Sequence, residues 1–345
     1  MDTTFTNLVP LVDVLLRHAG LSEKILTIEA IHRGGNNQLY RINCLDQSYV
    51  LKKYFQHPED LRDRLEAEYT FLNIAIDRAP GQTSTPLAKS EPDRAALYEF
   101  VEGVPVSHAS EVTPTHIKQA ADFIAKLNCV SSERGMPGTA PASEACFSIE
   151  THISRVDDRL DELTGVLNSE VNNRDFEVFI GKLLARWQTV KTNVIQTCRR
   201  DPLLDFSAEL APTERILSPS DFGFHNALIR NDGSAAFLDF EYAGWDDPAK
   251  LIGDFFSQVS IPIDVDYFQV FVETAFGGRE DYATLYKRAN LLLVVYKIKW
   301  CCIVLNVFLA KHLARRKFAD SAINISEMRH SQLIKANKIL LSADL

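Results

Sequence analysis

The sequence predicts an α+β protein of two lobes, a strand-rich amino-terminal lobe and a mainly helical carboxy-terminal one. Three observations carry that expectation. Five strand-type segments crowd into the first hundred residues, the step Glu102-Gly103-Val104-Pro105 follows them, and beyond it apolar residues recur mainly at helical spacing. A boundary at that step divides the chain into residues 1–103 and 104–345.

The first segment, with Leu8, Leu11, Val12, Leu15 and Leu16 at helical spacing, reads as a helix; it has no basic leader, and Asp13 interrupts its apolar run, which argues against a signal peptide. Strands are expected at 24–33 and 38–44, joined through Gly34-Gly35-Asn36-Asn37, and a third at 48–55. A helix over 58–76 places Leu61, Leu65, Tyr69 and Leu72 on one stripe, and two strands follow at 86–89 and 95–101. Helices are expected at 115–127, 148–163 and 175–199, the last with Phe179, Leu183, Trp187, Val190 and Val194 in register. Short strands interrupt this pattern between 216 and 239, and helices resume at 248–256.

Composition narrows the functions. At 46% hydrophobic and 24% charged residues the chain matches a soluble globular protein, and 345 residues suffice for a substantial core. A net charge of −9 leaves no broad basic surface, which disfavours nucleic-acid binding. The six cysteines form no C-x-x-C pair and read as reduced thiols, so a cytoplasmic protein is expected. The apolar run 291–310 carries Lys297 and Lys299 near its middle, which favours a buried core helix over a membrane span.

The chemistry concentrates in Ser220-Asp221-Phe222-Gly223-Phe224-His225-Asn226 and Phe237-Leu238-Asp239-Phe240-Glu241. Between them lies Asp232-Gly233, a preferred two-residue hairpin loop. With that loop, cross-strand partners have numbers summing to 465, so Asn226 would face Asp239, and the two would offer oxygen ligands to a hard cation such as Mg²⁺. Asp221, just upstream, is placed to accept a hydroxyl proton. In the amino-terminal lobe, strand alternation puts Val50 and Lys52 on one face, with Val50 against a nucleobase and Lys52 toward phosphates. Glu68 is the expected partner of Lys52 and Glu66 the alternative; Gly34 and Gly35 would let backbone N–H groups approach phosphate. His225 reads as substrate-touching or loop-bracing, and Glu241, Asp246 and Asp247 as either an acidic rim for an amine-bearing substrate or solvated charge.

These residues, in their order, make the chain resemble the aminoglycoside phosphotransferase and choline kinase family of the protein-kinase-like superfamily. The resemblance implies a protein-kinase-like bilobal fold that transfers phosphate from ATP, or GTP, with Mg²⁺ to a hydroxyl of a sugar, amino sugar or amino alcohol. It makes Asp221 the catalytic aspartate, Asn226 and Asp239 the metal ligands, and Lys52 the phosphate-binding lysine paired to Glu68. The backbone of Glu99 and Val101 would meet the adenine edge, and Asp254 would brace the catalytic loop, with Asp247 structural. The chain departs from these relatives at Pro219-Ser220, where they usually have His-Gly, the His supporting the loop. That departure keeps a second reading open, a nucleotide-binding pseudokinase with a regulatory or scaffolding role.

Overall fold

The computed structural model describes residues 7–31, 37–56, 62–129, 139–167, 173–310, 312–313 and 324–343. Helix α1 (Val9–His18) opens the described chain, with Pro10 in its first turn and Arg17 and His18 at its carboxyl end, where positive charge suits the helix dipole. It buries Val12, Leu15 and Leu16 against one face of an antiparallel sheet of β1 (Ile25–Ile31), β2 (Gln38–Cys44), β3 (Ser48–Lys53), β4 (Pro86–Ser90) and β5 (Ala95–Glu99). The strand order is β1-β2-β3-β5-β4, so β3 is central. Tyr49 and Leu51 point from β3 into this small core, and alternation sends Val50 and Lys52 to the opposite face. Helix α2 (Arg64–Arg78) covers that face and starts where the Asp63 side chain accepts the Glu66 N–H. It begins later than the predicted helix; residues 57–61 lie outside the described set.

The second lobe contains α3 (Pro114–Leu127), α4 (Ile149–Leu167), α5 (Arg174–Arg200), α6 (Pro248–Ser257), α7 (Phe268–Phe276), α8 (Tyr282–Val304) and α9 (Ile325–Ser342). Two small sheets are set among them. One joins β6 (Val104–Pro105), β8 (Ala227–Ile229) and β9 (Ala235–Phe237); the other pairs β7 (Ile216–Ser218) with β10 (Gly244–Asp246). An aromatic cluster fixes the loop between β7 and β8: Phe222 lies 5.8 Å from Phe123, 4.9 Å from Phe237 and 5.7 Å from Phe255, ring centre to ring centre. Such pairs add about 0.5–1.5 kcal/mol each beyond area burial.

The segment Tyr282–Phe308 is long and apolar enough to cross a membrane, yet it packs mostly inside the fold, and its charges are matched there. Lys299 meets Asp254 at 3.1 Å, and Lys297 donates to the Ser342 carbonyl. Helix α6 approaches α8 closely at Gly253, where a Cβ would sit 2.3 Å from Tyr296 Cδ2. All six cysteines are free thiols.

Candidate active site

Lys52 emerges from the central strand into the space between the lobes and is 5% exposed. A buried ammonium costs several kcal/mol unless it is paired. Here its Nζ lies 2.6 Å from Glu68 Oε2 and 2.7 Å from Asp239 Oδ1. Burial works against the charge, but Asp239, Glu68 and Glu241 together outweigh it and raise the lysine above its ordinary pKa. Glu68 is held in turn by the Tyr54 hydroxyl at 2.7 Å and the Phe240 N–H at 3.3 Å. The geometry therefore selects Glu68 over Glu66, which faces outward and pairs with Lys89. The sequence motifs do not single out Tyr54, although the same alternation that groups Val50 with Lys52 extends to residue 54.

Asp221 follows β7 on the loop that Phe222 and Phe224 anchor in the aromatic core. Ser220, immediately before it, has φ +66°, a left-handed conformation that costs a non-glycine residue on the order of 1–2 kcal/mol. The Asp221 Oδ1 lies 3.1 Å from His225 Nε2, so His225 acts as a brace of the loop. Burial alone would raise the Asp221 carboxyl, but the His225 hydrogen bond and charge, with Asn226 and Lys250, hold it below its ordinary value. Gly223 makes room for the imidazole, since a Cβ there would stand 2.9 Å from His225 Nδ1. Asn226 Nδ2 donates to the Asp221 carbonyl at 3.0 Å, which leaves the amide oxygen as the free acceptor.

The hairpin register differs from the expected one. The pairs are Ala227 with Phe237, Leu228 with Ala236 and Ile229 with Ala235, one residue away from the predicted set. The loop holds three residues, Asn231-Asp232-Gly233, instead of two: Arg230 N–H donates to the Ser234 carbonyl and Gly233 N–H to the Arg230 carbonyl. Gly233 takes φ +79°, as the last residue of such a three-residue turn requires, and Asp232 caps Ser234 N–H at 2.9 Å. Asn226 thus faces Leu238, whose N–H donates to its carbonyl at 2.8 Å. Asp239 lies one residue past the ladder and turns toward Lys52 through a left-handed φ of +66°.

The acidic rim is also corrected. Glu241, Asp246 and Asp247 are 1%, 0% and 0% exposed, neither a rim nor solvated charge. Glu241 meets Arg64 at 3.1 Å and accepts from Asn37 at 2.7 Å. Asp247 caps α6 through Ala249 N–H at 2.7 Å and meets Arg288 at 2.6 Å and His152 at 3.0 Å. Its burial would raise the carboxyl, yet Arg288 and His152 pull it down to about 2. The Asp246 carboxyl moves the other way, to about 6, because burial exceeds the pull of Lys250. Asp254 receives Lys299 and the Trp300 indole N–H at 2.9 Å and lies 3.8 Å from Lys250, which in turn bonds Ser220 of the loop. Glu99, at the end of β5, gives its N–H to the Thr85 carbonyl, and its own carbonyl accepts from Ser84 Oγ. Val101 is partly buried just beyond, Val50 packs at the edge of the large core, and Gly34 and Gly35 lie outside the described residues.

The donor set can be tested against a metal. Among the described residues no three His, Cys, Asp or Glu side chains gather into a cage. One carboxylate and one amide oxygen suit Mg²⁺, which keeps waters and substrate phosphates in its shell and uses one or two protein ligands. Asp239 and Asn226 are one carboxylate and one amide of that kind, each with a side-chain oxygen beyond its bond to Lys52 or to the Asp221 carbonyl.

Comparison with known proteins gives the family and the fold. The profile of the phosphotransferase enzyme family matches residues 27–285, and the chain belongs to that family. No curated protein sequence matches it. Among solved structures, choline kinase from Cryptosporidium parvum Iowa II superposes with a TM-score of 0.61 at 13% identity, covering 97% of this chain and 95% of that one. Plasmodium vivax ethanolamine kinase gives 0.59 at 15% identity, over 100% and 92%. A spectinomycin phosphotransferase solved with ADP and spectinomycin gives 0.59 at 14% identity, over 96% and 98%. At these identities the likeness is one of fold, and that fold is the protein-kinase-like one of choline kinases and aminoglycoside phosphotransferases.

Proposed function

We propose that the protein is an ATP- and Mg²⁺-dependent kinase that phosphorylates a hydroxyl of a small molecule, a sugar, amino sugar or amino alcohol. The observation that carries this reading is the bridge made by Lys52 Nζ to both Glu68 and Asp239, which ties the sheet of one lobe to the segment beyond the hairpin of the other. In this reading residues 1–103 bind nucleotide and the remainder carries the catalytic loop and the substrate pocket. Val50 packs on the base, and the Glu99 carbonyl and Val101 N–H meet its edge. Lys52, oriented by Glu68, binds the phosphates. Asn226 and Asp239 hold Mg²⁺, which neutralises charge on the phosphates.

Asp221 accepts the proton as the substrate hydroxyl oxygen bonds to the γ-phosphorus; the bond to the β–γ bridging oxygen breaks, and ADP leaves. The carboxylate is ionised at neutral pH, and the His225 hydrogen bond restricts its rotation. With Glu241, Asp246 and Asp247 withdrawn into ion pairs, none of the three is left to select an amine.

A metabolite extract incubated with the protein and Mg-ATP, followed by mass spectrometry, tests this reading. One compound is expected to gain a phosphoryl group with the wild type and not with Asp221→Asn. Absence of any product, together with no Mg-ATP-induced thermal shift, would refute it.

A further inference from the structure

Lys250, in the first turn of α6, is 2% exposed and belongs to none of the roles above. Its Nζ lies 2.7 Å from Asp246 Oδ2, 3.8 Å from Asp254 Oδ2 and 3.2 Å from Ser220 Oγ. Both carboxylates have other support. Asp246 accepts the Cys146 and Asp247 N–H groups, and Asp254 accepts from Lys299 and Trp300. The bond to Ser220 is therefore more than a by-product of charge neutralisation.

Ser220 stands between β7 and Asp221 in a left-handed conformation that favours glycine. Its three polar groups are all engaged: the N–H donates to Ser218 Oγ, the carbonyl accepts from Phe222 N–H, and Oγ accepts from Lys250. We propose that Lys250 is a positioning residue that clamps Ser220 through its hydroxyl, keeping the left-handed turn that aims the Asp221 carboxylate into the cleft. The clamp supplies, from the following helix, the loop support for which the sequence lacks the usual His-Gly pair. This inference rests on the reading of Asp221 as proton acceptor.

The test compares Ser220→Ala, which removes only the clamped oxygen, with Ser220→Gly, which tolerates the turn unaided. A third variant, Lys250→Met with Asp246→Asn, removes the lysine without orphaning Asp246, and a fourth adds Ser220→Gly to it. Turnover with Mg-ATP, the KM for Mg-ATP and hydrogen exchange of the 219–226 segment are read for each. Ser220→Ala and the Lys250 variant are expected to lose about 10²-fold in kcat, the cost of a misplaced reacting group, with KM unchanged and faster loop exchange. Ser220→Gly is expected to recover most of that loss in the Lys250 background. Equal turnover and exchange in alanine, glycine and wild-type proteins would overturn the clamp, as would a Lys250 variant that glycine does not rescue. If the wild type transfers no phosphate, the kinase reading fails, and loop exchange alone decides whether the clamp exists.

Discussion

Asp221 and Asp239 share a short stretch of chain with Asp246 and Asp247, and in the proposed function the two pairs are used in opposite ways. The side chains of Asp221 and Asp239 are 42% and 41% exposed, and each has one strong side-chain partner, His225 and Lys52. Asp246 and Asp247 are fully buried, with partners on both carboxylate oxygens. An acid kept for chemistry must leave an oxygen for the reacting group, whereas a buried acid must fill its oxygens or lose its charge. Residue type does not separate the two pairs; the number of bonds already spent does.

That contrast breaks first at Asp221. Asp221→Asn is expected to lower phosphoryl transfer by about 10²–10⁴-fold, as removal of a proton acceptor does. Its unfolding free energy, from urea denaturation, should stay within about 1 kcal/mol of wild type, because only one hydrogen bond changes. A stability loss as large as that of the next variant would erase the distinction.

Asp247→Asn is expected to cost about 3–5 kcal/mol at pH 7, since Arg288 is left buried without its counter-charge. The pH dependence has a definite sign. The folded carboxyl lies at about 2, below its ordinary 3.8, so its stabilisation is present above pH 4 and lost as pH falls toward 2. Denaturant titrations should show the gap between wild type and variant narrowing by on the order of 2 kcal/mol across that window. A gap that is constant with pH would mean that the pair does not hold the proton off.

Tyr54→Phe probes the boundary between the two kinds of acid, since Glu68 is buried like Asp247 yet holds Lys52 for the site. Loss of the hydroxyl is expected to cost about 1 kcal/mol in denaturation and to weaken the Mg-ATP thermal shift, with kcat little changed.

How much of this could be read beforehand depended on distance along the chain. The strand at 38–44 and the helix stripe from Phe179 to Val194 follow local periodicity, and both lie where the pattern puts them. The Asp-Gly hairpin was legible as a turn but not in its register, because Asp232-Gly233 serves a two-residue or a three-residue loop equally well. The bonds of Arg230 and Ser234 make that choice. The burial of Glu241, Asp246 and Asp247 was not legible at all. Each is neutralised by a cation on another element, Arg64, Lys250 or Arg288; Arg64 and Arg288 are remote in sequence, and although Lys250 is only four residues past Asp246, the strand-to-helix turn that brings the two together is not a helical i,i+4 repeat. Lys52 and Glu68 stand between these cases: strand alternation turns Lys52 toward the following helix, where Glu68 is the expected partner and Glu66 the alternative, and the ion pair forms with Glu68.

The bare Cα of Gly253 has a reach out of proportion to its size. It sets how near α6 and α8 can stand; across that gap Lys299 meets Asp254, and from the same face of α8 the Tyr296 hydroxyl meets His152 Nδ1 of α4 at 2.7 Å. Any side chain there would force the tyrosine ring aside or prise the helices apart. The displacement would pass through Asp254 and Lys250 to the loop before Asp221. In a chain of 345 positions, tolerance to change is thus tightly limited at one that presents no functional group.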